Sequence, residues 1–357
     1  MKERIRESSF ESLRILCMVF IVTHHFLVHG LDKAGYYGNP PDAASLALNS
    51  FVIVGVNVFV LISGYFGINA GWKSFLRLYL FLCFYAVLFF VLGWITTGEF
   101  NFFHLITRFF PFSHSAYWFI SAYFLLFLIS PFLNFLAEKL DRSGFLKLLL
   151  VLLFVDIWFS YIWAASTNFG QRGYGLFHFI VLYFLAQFIA RHTKTPDKIN
   201  WRFLFGYLGF SMLIACFAIV LWKTGMADAV GVTNYAFAYS SPLVIGASMA
   251  LLLFFRSLHF RSKVVNALAA SVLAAYLIQE SSFLSPILYG WFRSFGTDMN
   301  GNVWERLFRD FLILLISILF VFVAMLLDKV RVLLSSPLEK WATQFDPIKA
   351  ITKRFKA

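Results

Sequence analysis

Long apolar stretches, separated by short polar, glycine or proline clusters, follow one another along nearly the whole chain. A helix needs about 20 mostly apolar residues to cross the hydrocarbon core of a membrane. The predicted spans are residues 10–30, 50–67, 75–97, 117–137, 145–165, 175–191, 203–223, 236–256, 264–289 and 306–328. The pattern predicts an all-α, polytopic integral membrane protein with about ten transmembrane helices, the second short enough to be bent or partly re-entrant.

The composition excludes a water-soluble globule. Hydrophobic residues make up 60% of the chain and charged residues 13%, whereas soluble domains carry about 25% charged residues. We therefore expect one transmembrane domain over residues 8–330, with no soluble enzyme fused at either end. Residues 331–357 mix apolar with basic residues, which is typical of an amphipathic segment on a membrane surface. The apolar residues of this predicted basic cytoplasmic tail include Trp341, Phe345, Ile348 and Phe355.

The distribution of basic residues predicts the orientation of the chain. If the N-terminus is cytoplasmic, 23 of the 30 Lys and Arg residues fall in segments on the cytoplasmic side. Because cytoplasmic loops of membrane proteins are enriched in Lys and Arg, we expect both termini to be cytoplasmic. The net charge of +12 then lies along the inner face, where it would meet anionic lipid headgroups or an anionic cofactor. We expect no nucleic-acid partner, because the chain has no soluble basic module.

The first span carries a cation near each end of one helical face. Arg14 and His25 are eleven positions apart, which places them on the same face and about 16 Å apart along a helix. His29 shares the face of His25. A neutral imidazole could take a proton from a hydroxyl, and an arginine would suit a phosphate or a polarised carbonyl. The alternative is structural: Arg14 marks the membrane interface and the histidines hydrogen-bond neighbouring helices.

Two carboxylates lie within apolar stretches. Glu280 is about sixteen residues into the predicted ninth span, a depth similar to that of His25, and Asp156 lies nearer the middle of the membrane. An acid in hydrocarbon usually has a partner or lines a cavity. Glu280 could orient His25 or bind an acceptor hydroxyl. For Asp156 we favour a structural pair with an arginine or a tyrosine hydroxyl.

The segment after the second span, GYFGINAGWKSFLRLYL, combines cations with an aromatic ring. Lys73 and Arg77 are four residues apart beside Trp72, and such a group could hold the phosphates and stack on the base of a nucleotide. The same residues are also the ordinary anchors of a membrane helix at the cytoplasmic interface.

Several kinds of catalytic site are not indicated. The sequence has no GxSxG, Walker or HExxH motif, so it does not suggest a serine hydrolase, an ATPase or a metallohydrolase. Cys17, Cys83 and Cys216 fall within predicted spans without metal-ligand spacing. We expect them to be small buried apolar residues, and we expect no metal site.

Four local patterns, in this order and spacing, resemble the acyltransferase 3 family of membrane-bound acyltransferases, which commonly O-acetylate bacterial surface polysaccharides. They are Glu11-Ser12-Leu13-Arg14 with His25, the apolar run from Val56 to Ser63-Gly64-Tyr65, Tyr117-Trp118-Phe119-Ile120-Ser121 followed by Pro131-Phe132-Leu133-Asn134, and Ala275-Tyr276-Leu277-Ile278.

The chain departs from the family at two places. Many members have a histidine where this chain has Gln279, so a proton-transfer role for that histidine cannot apply here. Many also carry two arginines three apart on the inner loop. Here Arg77 matches the second, Ser74 occupies the first position, and Lys73 is an approximate substitute.

The resemblance implies a CoA-dependent O-acetyltransferase of the bacterial cytoplasmic (inner) membrane, which moves an acetyl group from acetyl-CoA to a sugar hydroxyl of a cell-surface or lipid-linked glycan. His25, Arg14 and Glu280 would then be catalytic, and Arg14, Trp72, Lys73 and Arg77 would bind the coenzyme. We expect His29, Glu280 and Trp118 to contact the acceptor. A non-enzymatic exporter or flippase of a polar glycan or lipid is the alternative, and a purely structural scaffold a third hypothesis.

Overall fold

The computed structural model describes residues 7–33, 40–113, 117–163, 170–226, 235–342 and 344. It is 80% helical, and this part of the chain contains no strand. The α-helices are α1 Ser8–His25, α2 Ala43–Val52, α3 Gly55–Phe66, α4 Trp72–Thr97, α5 Phe102–Thr107, α6 Trp118–Lys139, α7 Arg142–Val155, α8 Leu176–His192, α9 Trp201–Lys223, α10 Pro242–Arg256, α11 Lys263–Ala269, α12 Leu273–Gln279, α13 Ser285–Asp298 and α14 Val303–Ala342. The ends of α1 and α7 continue as π-helical turns, Phe26–Gly30 and Asp156–Ile162, and two short 3-10 helices cover Pro111–Ser113 and Gly170–Gly173.

Seven helical segments of the described chain are long and apolar enough to cross a membrane. They are Ser8–Gly30, Ala43–Phe66, Trp72–Thr97, Trp118–Lys139, Arg142–Ile162, Trp201–Lys223 and Val303–Ala342. Three shorter apolar segments, Leu176–His192, Pro242–Arg256 and Lys263–Gln279, correspond to the other predicted spans. The all-α membrane fold is therefore established, while the number of ten crossings and the cytoplasmic location of the termini stay predictions.

The predicted ninth span is wrong as a single helix. Residues 264–289 contain α11, α12 and the start of α13, which are separated by turns. Pro286 lies in the first turn of α13, a position that suits proline because its missing N–H would have no helical partner there. The chain therefore turns directly after Gln279, and Glu280 lies in the turn rather than inside a long helix.

The predicted second span is bent, as its length suggested. Residues 50–67 cover the end of α2 and all of α3, which meet at a turn before Gly55, and the apolar segment begins earlier than predicted, at Ala43. A Cβ atom at Gly55 would lie 2.9 Å from the carbonyl oxygen of Cys17 in α1. Glycine at this position lets the two helices approach closely, as small residues do between membrane helices.

Helix α1 and the α2–α3 pair form the centre of the molecule. About three quarters of each is buried (72% and 78%), compared with 22% of Arg142–Ile162 and 28% of Trp72–Thr97. α1 packs against α3, α10, α12 and α14. The peripheral helices instead present large apolar side chains outward, which is the arrangement expected where lipid covers the surface. Residues of α1 are thus enclosed by protein, so a histidine on this helix can form hydrogen bonds with neighbouring helices.

Contacts at the helix ends define two faces. Ser8 Oγ at the start of α1 donates to Asn266 Oδ1 over 2.8 Å, and Lys329 Nζ of α14 donates to the neighbouring Ala267 carbonyl over 2.6 Å. We call this side the N-terminal face. The other side, where Arg309 contacts Asp42 over 2.8 Å, is called the distal face. The start of α1 and the later part of α14 thus share the N-terminal face.

The predicted tail begins as helix. α14 continues without a break to Ala342, and the side chain of Trp341 is 72% exposed. Phe345, Ile348 and Phe355 lie outside the described residues, so the amphipathic tail stays a prediction. Of the three cysteines, Cys17 and Cys83 are buried but Cys216 is exposed. The predicted burial of Cys216 is therefore wrong, because its side of α9 faces outward.

Candidate active site

His25 is the last residue of α1 and contacts the turn that follows α12. Its ring is largely enclosed, with 11% of the side chain exposed. His25 Nδ1 lies 3.1 Å from Glu280 Oε1 and 3.2 Å from Gln279 Oε1. The structure thus brings together two of the predicted catalytic residues, His25 and Glu280, although they are far apart in the chain.

The hydrogen bonds around His25 assign its tautomer. A glutamate carboxylate only accepts, and the amide nitrogen of Gln279 donates to the Val22 carbonyl over 3.2 Å, so the amide oxygen faces His25. With two acceptors beside it, Nδ1 must carry the proton. The other ring nitrogen, Nε2, then holds the lone pair. This is the tautomer that a general base needs when a carboxylate supports its far side.

Glu280 is held in turn by Tyr289 of α13, whose hydroxyl donates to Glu280 Oε1. The carboxylate therefore has two donors, one from His25 and one from Tyr289. Its side chain is 17% exposed. Charge-assisted hydrogen bonds of this kind are stronger than neutral ones, so Glu280 can stabilise the positive charge that develops on His25 when the ring takes up a proton.

Two further histidines surround the pair. The His29 ring lies 5.4 Å from that of His25 and 5.4 Å from that of Tyr289. His24 lies on another side of α1, where its Nδ1 is 2.7 Å from Asn49 Oδ1. His29 is thus placed next to the predicted site, whereas His24 connects α1 to α2 and has a structural contact.

A narrow cavity of about 10 Å³ lies beside His25. This is room for about one water molecule. Trp118 and Phe119 of α6, Tyr276 of α12 and His25 itself are among the residues that line it. Trp118 is therefore close to His25. A molecule larger than water can reach His25 only if these aromatic side chains move.

The predicted coenzyme residues lie away from His25, toward the N-terminal face. Arg14 is 26% exposed and contacts Glu11 over 2.7 Å. Because α1 is unbroken from Ser8 to His25, Arg14 and His25 are about 16 Å apart along its axis. At the start of α4, Lys73 and Arg77 are exposed and Trp72 is half-buried. The structure does not bring these cations into contact with His25.

A larger cleft of about 510 Å³ opens at the end of α3. Tyr65, Asn69, Asn134, Glu138, Gln187 and Arg191 are among the residues that line it. Tyr65 also stacks on Phe10 near the start of α1, with ring centroids 4.8 Å apart, so the cleft belongs to the N-terminal face. Ala70 also lines this cleft, and Lys73 follows it by three residues.

A buried histidine in α8 was not recognised from the sequence. His178 Nδ1 lies 2.7 Å from Asp156 Oδ2, and both side chains are fully buried. His178 Nε2 is 3.1 Å from Asn57 Oδ1. Asp156 thus has a structural partner as expected, but that partner is a histidine rather than an arginine or tyrosine. The signal available in the sequence was a histidine within the apolar run LFHFIVLYF of the next span.

Among the described residues, no group of three or more His, Cys, Asp or Glu side chains could hold a metal ion. Comparison with curated proteins and with solved structures gives no match. The sequence model of one family, described as an acyltransferase domain, matches residues 7–326, which include both His25 and Glu280. The chain therefore belongs to the acyltransferase 3 family and is a membrane acyltransferase.

Proposed function

We propose that the protein is an O-acetyltransferase of the bacterial cytoplasmic membrane that moves an acetyl group from acetyl-CoA to a sugar hydroxyl of a cell-surface or lipid-linked glycan. The observation that carries the proposal is the contact of His25 Nδ1 with Glu280 over 3.1 Å in a chain whose family transfers acyl groups. This pair provides a base at Nε2 and a carboxylate behind it.

In the proposed reaction, His25 Nε2 takes the proton of the acceptor hydroxyl as its oxygen attacks the thioester carbonyl. A C–O bond forms and the C–S bond breaks. The imidazolium, stabilised by Glu280, then returns its proton to the leaving thiolate, so that the products are the sugar ester and free coenzyme A. His25 ends in its starting form, which allows repeated turnover without an additional reactant.

The proposed donor site is at the N-terminal face. Arg14, Lys73 and Arg77 supply positive charge there, and Trp72 supplies a ring that can stack on a base. Cations of this kind suit the phosphates of coenzyme A. About 16 Å separates Arg14 from His25 along α1. The arm of the coenzyme that carries the acyl group must therefore extend along this helix while the phosphates stay at the surface.

The proposed function can be tested in cells without knowing the acceptor in advance. Cells lacking the gene and cells carrying it on a plasmid would be compared for alkali-labile acetyl groups on their surface glycans. We expect the acetyl groups to be present only with the gene. Equal acetylation in both strains would contradict the proposed acceptor class.

The purified chain in lipid nanodiscs separates an enzyme from an exporter. With acetyl-CoA and a panel of free and polyprenyl-linked oligosaccharides, we expect release of free thiol only when an acceptor is present. Movement of the oligosaccharide across a proteoliposome membrane without thiol release would instead identify an exporter and overturn the proposed reaction.

We expect Glu280→Gln to lower kcat while leaving the KM for acetyl-CoA unchanged. A hydrogen bond to a charged group contributes about 1.5–3 kcal/mol, which corresponds to about tenfold to a hundredfold in rate. Acetyl transfer by the purified variant would be measured at saturating acetyl-CoA. Glu280→Asp keeps the charge and should recover part of the rate if its carboxylate reaches His25. A Glu280→Gln variant with unchanged kcat would show that the carboxylate does not assist His25.

A further inference from the structure

A groove of about 340 Å³ opens on the distal face, between the end of α4 and the residues that follow Glu280. One part of its lining is aromatic, with Phe90, Trp94 and Phe283, and another is polar, with Thr97, Glu99 and Arg108. Its volume is in the range of small-molecule sites, which combine apolar surface with a few polar groups. A sugar matches this lining, because its C–H faces can pack on rings while its hydroxyls bond to carboxylate, guanidinium and hydroxyl groups.

The groove is connected to His25 through a smaller cavity and two packed aromatic rings. A smaller cavity of about 20 Å³ is lined by Phe89, Arg108 and Ser282, which also line the groove, and it extends to Tyr117. The ring of Tyr117 is 6.0 Å from that of Tyr276, which is 6.1 Å from the ring of His25. The groove and this cavity share three lining residues, and the packed rings of Tyr117 and Tyr276 lie between this cavity and His25. A sugar that enters from the groove therefore reaches the proposed base only when these two rings move.

The surface next to the groove is apolar and exposed. The side chains of Phe102 and Phe103 in α5 are 66% and 71% exposed, and Ile95 near the end of α4 is 70% exposed. Such a patch on a membrane protein lies in lipid or at the membrane interface, because exposing its apolar side chains to water costs free energy. A ligand in the groove could thus keep its sugar among polar groups while an attached lipid remains in the bilayer.

We propose that this groove binds the sugar of a lipid-linked glycan acceptor and delivers it to His25 from the distal face. The inference rests on the proposed function and adds to it the acceptor's binding site and its lipid-linked form. Arg108, which lines both the groove and the cavity behind it, is placed to bond the sugar as it approaches the site.

Gly93 offers a way to fill the groove without disturbing the fold. It lines the groove, and a Cβ atom at this position would meet nothing within 4 Å. Gly93→Leu would therefore occupy ligand space, and leucine favours a helix more than glycine does. Gly209 in α9 is the matched control, because a Cβ there also meets nothing within 4 Å and its helix does not line the groove.

We expect Gly93→Leu to raise the KM for a lipid-linked oligosaccharide about tenfold or more, with the KM for acetyl-CoA unchanged and the thermal unfolding temperature not lowered. Gly209→Leu should keep both KM values of the wild type and should also not lower the unfolding temperature. If Gly93→Leu leaves the acceptor KM unchanged while the wild type transfers acetyl groups, the groove is not the acceptor site, and the proposed function stands.

A binding measurement tests the groove even if the chain transfers no acetyl group. A photoreactive amino acid at Thr97, compared with one at Gly209, would be irradiated in membranes containing radiolabelled lipid-linked oligosaccharide and phospholipid. Cross-linking of the oligosaccharide at Thr97 alone supports the inference. Cross-linking of phospholipid only, or equal labelling at both positions, would overturn it.

Discussion

Cells that carry His25→Ala in place of the wild-type chain are expected to lose acetyl groups from their surface glycans, with transfer by the purified variant reduced by about 10²–10⁴-fold. Among the described residues, only the imidazole of His25 contacts both Gln279 and Glu280, and the variant removes it. It leaves the acceptor hydroxyl without a positioned base and the leaving thiolate without a proton donor. Alkali-labile acetyl on the glycan and free thiol from acetyl-CoA would both be measured.

The matched control is His259→Ala. His259 is exposed on the N-terminal face, where its Nε2 is 2.8 Å from the Pro196 carbonyl, and we expect its replacement to leave transfer unchanged. Equal membrane levels of the two variants exclude a folding defect. If His25→Ala at a normal level transfers acetyl at the wild-type rate, His25 is not the base and the proposed mechanism fails.

Hydropathy was sufficient to predict the fold class but not the shape of the helix that carries Glu280. The stretch 264–289 is mostly apolar, and a window that averages over about 20 residues responds to composition alone. The turn after Ala269 occurs within Ala270, Ser271 and Val272, and no proline or glycine marks it. The packing of α12 between α1, α4 and α14 determines this geometry. The hydropathy of the stretch does not show which helices will pack against it.

The prediction for Glu280 used a geometry that the structure corrects. A continuous helix would have placed its carboxylate at a depth similar to that of His25. The observed contact instead depends on the turn after Gln279, which directs both residue 279 and residue 280 toward His25. Tyr289 could not be foreseen, because it lies nine residues beyond Glu280 across a helix break. Costly ionisable residues in apolar stretches can therefore be identified from sequence, but their contacts require the tertiary structure.

The proposed base and the basic residues that could bind the donor lie near opposite ends of α1. His25 is at the distal end of α1, whereas the basic residues that suit coenzyme A lie near its start, about 16 Å away along the axis. Periodicity predicted this separation, since it follows from eleven steps along one helix. It did not predict the narrow cavity between Trp118 and Tyr276, which is lined by residues of four helices distant in sequence. Donor and acceptor would consequently approach the same imidazole from opposite faces.

Arg309→Leu is expected to destabilise the folded protein by about 3–5 kcal/mol. Arg309 is fully buried and contacts Asp42 and Asp310, each over 2.8 Å. It also donates to Ser45 Oγ over 2.7 Å and so joins α2 to α14. Replacing it with leucine leaves two buried carboxylates close together without a cation, which costs more than the loss of the bonds themselves.

The measurement is the unfolding temperature of the full chain in detergent and its yield as a monodisperse species. Arg202→Leu is the control: Arg202 is exposed on α9, and surface substitutions usually change stability by less than about 0.5 kcal/mol. Adding Asp42→Asn and Asp310→Asn to Arg309→Leu removes the uncompensated charges and should restore part of the lost stability. If the single and triple variants are equally unstable, lost packing and hydrogen bonds explain the effect, and the electrostatic argument is wrong.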